Sequence, residues 1–199
     1  QAELARRVLL DTGYHDVFPR VTSGLRNSVY KLSQVHYDLI SDDGMVPIDL
    51  QWRLAPRWYG VPLPAEQWWQ RLQTVKLLNK PVPVFSPEDL LVCLCLHGGK
   101  HNWREFKQVC DVAQVITRYP DVDWDRVSAD ATAGLTARML RVGLRLAHGL
   151  LGADVPIGAR RAIAADPAAM ALADEAAQAM FSDRREPFLA GDAYALRLL

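Results

Sequence analysis

Apolar and polar residues follow two different periods along the chain, and the change falls near residue 86. Before it, Val29 to Ile40 and Val46 to Leu54 alternate apolar with polar positions and are rich in β-branched and aromatic residues. Such alternation is typical of half-buried strands, and the turn-forming run Ser41-Asp42-Asp43-Gly44 lies between the two stretches. The pattern therefore predicts an antiparallel hairpin.

Shorter signals complete the first part of the chain. Residues 1–12 have helical spacing that Gly13 ends, residues 65–72 predict a short helix, and residues 74–78 and 82–85 predict a second hairpin at a sheet edge. Beyond Ser86 the pattern is helical over residues 87–101, 104–119, about 123–133, 135–151 and an alanine-rich stretch, 158–183, that proline interrupts. The predicted fold is α+β, with a mixed or antiparallel sheet portion over residues 1–85 and an all-α helical bundle over 86–199.

Strand alternation gives the first predicted hairpin a polar face. In its second strand the even-numbered residues from 48 to 54 are apolar, whereas Asp49, Gln51 and Arg53 are polar and point the other way. On the first strand His36 and Asp38 form a similar polar pair. The sequence leaves the strand register open, so it does not decide whether this pair lies beside Asp49.

The helix after Ser86 has a well-defined start and an unusual end. Ser86 can cap it, Pro87 suits its first turn, and Asp89 completes a capping box. Near its end, Gly98 and Gly99 each cost about 1 kcal/mol relative to alanine in a helix interior. The glycine pair therefore predicts either the close approach of another backbone or a ligand, or a break in the helix.

Composition narrows the class of protein. Lysine and arginine total 23, and aspartate and glutamate total 23, so no net charge attracts nucleic acid over a long range. The three cysteines, Cys93, Cys95 and Cys110, all fall in apolar helical pattern, which favours a reducing compartment. Charge breaks every apolar stretch before about 18 residues and no signal peptide is present, so we expect a cytoplasmic protein without a membrane span. Residue 1 is Gln rather than Met, which is compatible with a fragment.

Four motifs have a familiar form: PIDLQWRL in the first part, and LCLHGGKHNW, FKQVCDVAQVI and DVDWDRV beyond Ser86. Together they resemble a bacterial family of uncharacterised nucleotidyltransferases over roughly Leu9 to Pro156. The resemblance implies a nucleotidyltransferase-like sheet portion and a helical domain. It also implies Mg²⁺-assisted transfer of a nucleotidyl group from a nucleoside triphosphate to a hydroxyl or phosphate acceptor of unknown identity.

Within this resemblance, Asp49 matches the family's third catalytic carboxylate, a Mg²⁺ ligand. The first two are expected in a Gly-Ser loop and an Asp-x-Asp strand before residue 1, and neither motif is in the sequence. One carboxylate does not hold two Mg²⁺ ions, so we expect the 199 residues alone to be catalytically inactive. The family more often has His at the position of Gln51.

Four other residues are candidates for binding the phosphate or the acceptor. Lys100 can pair with a nucleotide phosphate, His101 can donate a further bond to phosphate or acceptor, and Arg53 is a weaker phosphate candidate. His97, the remaining candidate for this binding site, has a competing interpretation as a hydrogen-bonded core residue. We expect Asp49 to face Lys100 and His101 across a cleft between the sheet and the bundle.

Structural interpretations compete with several of these roles. Asp111 lies in an apolar helical pattern, and we expect it to be buried and paired so that it ties two central helices. Trp103 and Trp124 are expected in the core rather than as base-stacking platforms.

Two other functions remain open. One is a nucleotide-binding or partner-binding protein that uses the same fold without the chemistry, for example a toxin–antitoxin component. The other is a zinc-dependent hydrolase built on His97 and His101, which lie four residues apart on the same helical stripe as Cys93. Cys93 and His101 are about 12 Å apart along a helix, so one ion cannot bind all three residues.

Overall fold

The chain forms two compact units, residues 1–60 and 61–199. The structure, a computed structural model, describes residues 2–17, 35–55, 59–62, 65–182 and 197–198. Small antiparallel sheets and a helical C-terminal part confirm the predicted α+β class. The domain boundary predicted at residue 86 stays a prediction. The second unit also contains the hairpin and the short helix that precede it.

The elements of the described residues fall close to the predicted ones. The helices are α1 Ala2–Asp11, α2 Ala65–Gln70, α3 Pro87–Lys100, α4 Phe106–Arg118, α5 Trp124–Ala133, α6 Ala137–Leu151, α7 Ile157–Ala164 and α8 Pro167–Met180. The strands are β1 Tyr14–Asp16, β2 His36–Ser41, β3 Pro47–Gln51, β4 Gln73–Leu77 and β5 Lys80–Val84. Both predicted hairpins are confirmed, although residues 29–34 of the first one lie outside the described part. None of the described helices has the length and apolar character needed to cross a membrane.

In the first unit a three-stranded antiparallel sheet follows the order β1-β2-β3. Tyr37 and Leu39 of β2 are buried on one face, where Tyr37 stacks at a tilt on Trp52 with ring centroids 4.3 Å apart. Helix α1 is held beside the sheet by an ion pair between Arg6 and Asp16. Tyr37 and Leu39 mark the apolar face of the sheet. Because side chains alternate along a strand, the polar residues of β2 and β3 lie on the opposite face.

In the second unit β4 and β5 form a separate hairpin. Leu78 and Asn79 both have positive φ, 49° and 62°, as a two-residue type I′ turn requires. Pro81 and Pro83 on β5 lack N–H groups, which prevents them from donating to a further strand.

The bundle of the second unit is organised around α6, which packs against α3, α4 and α8. Its residues Met139, Val142 and Ala147 have no exposed surface. Gly152 ends the helix in the left-handed conformation, with φ +67°, as glycine does at many helix C-termini.

A buried ion-pair network fixes the start of α3. The hydroxyl of Ser86 accepts a hydrogen bond from the backbone N–H of Asp89 at 3.3 Å, which confirms the predicted cap. The Asp89 carboxylate is fully buried and accepts from Arg71, whose Nη2 also donates to Asp130 at 2.8 Å. The guanidinium therefore joins three parts of the second unit: the loop after α2 and the helices α3 and α5.

We expect Arg71→Ala to reduce the free energy of unfolding by about 3–5 kcal/mol, because it leaves the buried Asp89 carboxylate without its cation. Arg145 pairs with Asp174 at 2.7 Å, and the Asp174 side chain is 58% exposed. Arg145→Ala is therefore a matched control, with an expected loss of at most about 1 kcal/mol. Urea denaturation measures both. Equal losses of unfolding free energy in the two variants would show that the Ser86 hydroxyl and the dipole of α3 stabilise the buried Asp89 carboxylate without Arg71.

Candidate functional site

The polar face of the first sheet gathers three potential metal ligands. His36 and Asp38 are two residues apart on β2, so their side chains share a face. The register pairs Asp38 directly with Asp49 of β3, and His36 with Gln51. The structure thus fixes the register that the sequence leaves open, and it brings the three side chains together.

Their ligand atoms are close enough for one ion. One atom from each of His36, Asp38 and Asp49 can be chosen so that all lie within 4.8 Å of one another. His36 Nε2 is 3.4 Å from Asp38 Oδ2, and His36 Nδ1 is 4.0 Å from Asp49 Oδ1. The side chains of Asp38 and Asp49 are 37% and 50% exposed, so an ion can reach them from solvent. The described residues contain no other group of three His, Cys, Asp or Glu side chains with such spacing.

Gln51 orients Asp49. Its Nε2 donates to Asp49 Oδ2 at 3.0 Å, which leaves Oδ1 directed toward His36. A hydrogen bond of this kind to a ligand carboxylate limits its rotation and is common behind metal ligands. The Gln at this position therefore has a positioning role that the sequence alone does not reveal.

Within the described residues the two aspartates have no Lys or Arg to balance their charge. No Lys or Arg of that part lies within 4.0 Å of either carboxylate, and their one ion-pairing partner there is the His36 imidazole. Like charges directly opposite on neighbouring strands destabilise a sheet. The donor set of two carboxylates and one imidazole fits a divalent cation, which would relieve this repulsion.

Arg53 lies two residues beyond the end of β3. One of its guanidinium nitrogens, Nη1, is buried and has no hydrogen-bond partner in the part of the chain that the structure describes. Its assignment to phosphate stays a prediction.

In the second unit His97, Lys100 and His101 lie at the C-terminal end of α3. Lys100 is the last helical residue and His101 is the C-cap. Both imidazoles are exposed, and their ring centroids are 4.5 Å apart. The interpretation of His97 as a core residue is therefore wrong, because Gly98 and Gly99 occupy the buried side of this turn. The C-terminal end of a helix carries a partial negative charge, so attraction for an anion here depends on Lys100.

A Schellman motif closes this helix. The backbone N–H of Trp103 donates to the Gly98 carbonyl at 2.8 Å, and that of Asn102 to the Gly99 carbonyl at 3.0 Å. Asn102 adopts the left-handed conformation at φ 56°, as is common at this position. The chain then reverses, and the Trp103 indole folds back onto the last turn of α3.

The two glycines make room for packed side chains. A Cβ on Gly98 would lie 2.5 Å from the Trp103 ring, and one on Gly99 would lie 3.1 Å from Leu198 and 3.2 Å from Met139. The fully buried Trp103 confirms the predicted core role. The close approach that the glycine pair predicts is therefore made by side chains of the protein and not by a ligand, because these side chains occupy the space beside both glycines.

The positions of His97 and His101 do not support the hypothesis of a zinc site. Among the described residues, His97 and His101 have no third His, Cys, Asp or Glu spaced to share an ion with them. Burial raises the pKa of the Cys93 thiol to about 11, although the nearby charge of Lys100 lowers it. Zinc binding to Cys93 would have to displace a proton that burial holds more tightly than usual, which weakens such a site.

The expectation for Asp111 is wrong. Its side chain is 38% exposed and pairs with Lys107 at 2.7 Å, one turn earlier in the same helix α4. It does not tie two helices through this pair. Trp124 is half-buried at the start of α5, only partly as predicted.

The predicted site residues divide between the two units. Asp49 and Arg53 belong to residues 1–60, and His97, Lys100 and His101 belong to residues 61–199. The cleft that would join these two sets stays a prediction.

We expect Gly98→Ala to destabilise the protein by about 1–3 kcal/mol, because the added methyl group meets the rigid Trp103 ring. Gly149 is the matched control: like Gly98 it is third from the end of its helix, but a Cβ there would meet nothing within 4 Å. Gly149→Ala should stabilise by up to about 1 kcal/mol through helix propensity. Urea denaturation measures both changes, and a stabilising Gly98→Ala would contradict the packing.

A second prediction concerns the facing carboxylates. In the presence of EDTA, Asp49→Asn should raise the free energy of unfolding by about 0.2–1 kcal/mol, because it removes a like-charge pair and retains an acceptor for Gln51. Asp42→Asn, in the β2–β3 turn beside His15, should give no gain. Thermal and urea unfolding measure the difference. A loss of stability in Asp49→Asn would show that attraction to His36 outweighs the repulsion.

A family model described as an uncharacterised nucleotidyltransferase matches residues 1–152. The match spans the first unit and continues through α6 to its C-cap, Gly152. Among curated proteins and solved structures, none matches the chain. The match covers the four motifs, the polar face of the sheet and the end of α3, and the chain therefore belongs to this family of uncharacterised nucleotidyltransferases.

Proposed function

We propose that the chain contributes to divalent-cation-dependent transfer of a nucleotidyl group from a nucleoside triphosphate to a hydroxyl or phosphate acceptor. The observation that carries this proposal is the direct opposition of Asp38 and Asp49 beside His36, on a sheet that belongs to a nucleotidyltransferase family. A fold alone does not define a function, but this cluster has the chemistry that the family name requires.

Asp49 and Asp38 would hold the cation, Mg²⁺ in the expectation drawn from the family resemblance. A bound divalent cation neutralises phosphate charge and orients the nucleotide for in-line attack. The protein contributes the placement: the paired strands set the spacing of the carboxylates, and Gln51 holds the outer oxygen of Asp49. Fixed ligands of this kind need no rearrangement when nucleotide binds.

We assign Lys100 and His101 to the binding of phosphate or acceptor, with His97 and Arg53 as further candidates. Lys100 supplies a point charge that offsets the negative end of the α3 dipole, and two exposed imidazoles lie next to it. This arrangement suits an acceptor that carries both a hydroxyl and a negative charge.

The 199-residue chain should bind nucleoside triphosphate in the presence of Mg²⁺, and Asp49→Ala should abolish the binding. Isothermal titration calorimetry with each of the four ribonucleoside triphosphates, in Mg²⁺ and in EDTA, tests this. Asp42→Ala is the control for loss of an exposed aspartate, because Asp42 lies in the turn between β2 and β3. Lys107→Ala, which removes an exposed lysine from α4, is the control for Lys100→Ala.

The outcomes separate the candidate functions. Binding that Asp49→Ala leaves unchanged would contradict the proposed site. Binding in EDTA that Lys100→Ala weakens would favour the alternative, a nucleotide-binding protein without the chemistry. Loss of binding in both Asp49→Ala and Lys100→Ala, with both controls unchanged, is the result that we expect.

A further inference from the structure

The cluster on the polar face of the sheet mixes nitrogen with oxygen donors. Mg²⁺ prefers oxygen ligands, keeps several of its waters and rarely takes an imidazole. Mn²⁺ accepts carboxylates equally well and takes imidazole more readily, since it lies among the transition metals. The identity of residue 36 therefore affects which ion the site prefers.

The spacing of the three side chains is close to what one ion requires. Neighbouring ligands of an octahedral ion with bonds of about 2.1 Å lie about 3 Å apart, and opposite ligands about 4 Å apart. One ligand atom from each of His36, Asp38 and Asp49 can be chosen so that all lie within 4.8 Å of one another, which is slightly wider than opposite ligands of one ion, so a small movement of these side chains would let one ion bind all three. The His36 ring is 3.4 Å from Asp38 through Nε2 and 4.0 Å from Asp49 through Nδ1, and only one of these two nitrogens would bind the ion.

One ring nitrogen of His36 makes no hydrogen bond within the described part of the chain. His36 Nδ1 is buried and forms no hydrogen bond with any residue that the structure describes. It lies 4.0 Å from Asp49 Oδ1, too far for a hydrogen bond but on the side of the oxygen that Gln51 leaves open. An unsatisfied buried ring nitrogen beside two facing carboxylates is a costly arrangement unless an ion or a proton joins them.

We propose that His36 is the third ligand of this cation site and that it makes the site prefer Mn²⁺ to Mg²⁺. The inference rests on the proposed function only in assuming that Asp38 and Asp49 hold a divalent cation. Asp38 and Asp49 supply the affinity for any such ion through their charge. His36 supplies the discrimination, because its nitrogen gains more from Mn²⁺ than from Mg²⁺.

The test uses metal binding, without nucleotide and without turnover. The 199-residue chain is titrated with Mn²⁺, and the loss of the electron paramagnetic resonance signal of free Mn²⁺ gives the affinity and the number of sites. Competition with Mg²⁺ then gives the ratio of the two dissociation constants. We expect one site, with Mn²⁺ bound about tenfold or more tightly than Mg²⁺.

His36→Asn is the informative variant, because it replaces a nitrogen ligand by an amide oxygen of similar reach. It should lower the Mn²⁺ affinity several-fold, leave the Mg²⁺ affinity nearly unchanged and so reduce the preference. His15→Asn removes a different, exposed histidine from the same sheet and should change neither affinity. Circular dichroism and thermal unfolding in EDTA establish that both variants are folded.

The failure of this inference is distinguishable from that of the proposed function. If Asp49→Asn removes the binding of both ions while His36→Asn leaves the Mn²⁺ to Mg²⁺ ratio unchanged, the role of His36 is overturned and the cation site stands. If Asp49→Asn leaves Mn²⁺ binding unchanged, or no Mn²⁺ binds, the cation site itself is overturned. A reduced ratio in His36→Asn alone supports the inference.

Discussion

The burial of the Trp103 indole against the last turn of α3 and the middle of α6 is the constraint on which the second unit depends. The ring occupies the space that a Cβ on Gly98 or on Gly143 would fill, so both helices must present glycine at the contact. Close packing of this kind leaves no room for adjustment by a methyl group. The same turn leaves His97 and His101 exposed and Lys100 half-buried, because a helix that turns its glycines toward a neighbouring helix turns the adjoining residues outward. The polar residues and the buried tryptophan contact therefore lie on opposite sides of the same helix end. This explains why LCLHGGKHNW combines glycine, histidine and tryptophan within a few residues.

The start of α3 and the face of β3 that carries Asp49 can be predicted from the sequence, because local signals decide both. The capping residues at Ser86 and Asp89 act within one turn, and strand alternation assigns Asp49 to a polar face whatever its neighbour is. The partner of Asp49 was not accessible, since register depends on which strands meet and not on the pattern within one strand. The glycine pair left several explanations open for a similar reason. The residue that requires it, Trp103, is near in sequence, but the contact exists only after the helix ends and the chain reverses.

The wrong expectations have a common physical origin. An aspartate among apolar residues predicts a buried partner, yet the Asp111 side chain is 38% exposed and pairs with Lys107 one turn earlier in the same helix. The interpretation of His97 as a hydrogen-bonded core residue fails because its position on the helix turns it outward. In both cases the helical face, and not the local composition, decides burial. The three-residue strand β1 escaped prediction because so short a segment has almost no period to detect.

The register of the sheet shows what the side chain of Gln51 faces. The motif PIDLQWRL resembles a family segment that more often has His at this position, and its loss would suggest a weaker site. In the register observed, residue 51 lies directly opposite His36, so an imidazole from either strand reaches the same polar face beside Asp49. The amide of Gln51 meanwhile donates to one oxygen of Asp49 and cannot compete for a cation through that nitrogen. An imidazole and the amide that bonds Asp49 thus lie directly opposite each other on two neighbouring strands, so the polar character of this face comes from residues 36 and 51 together.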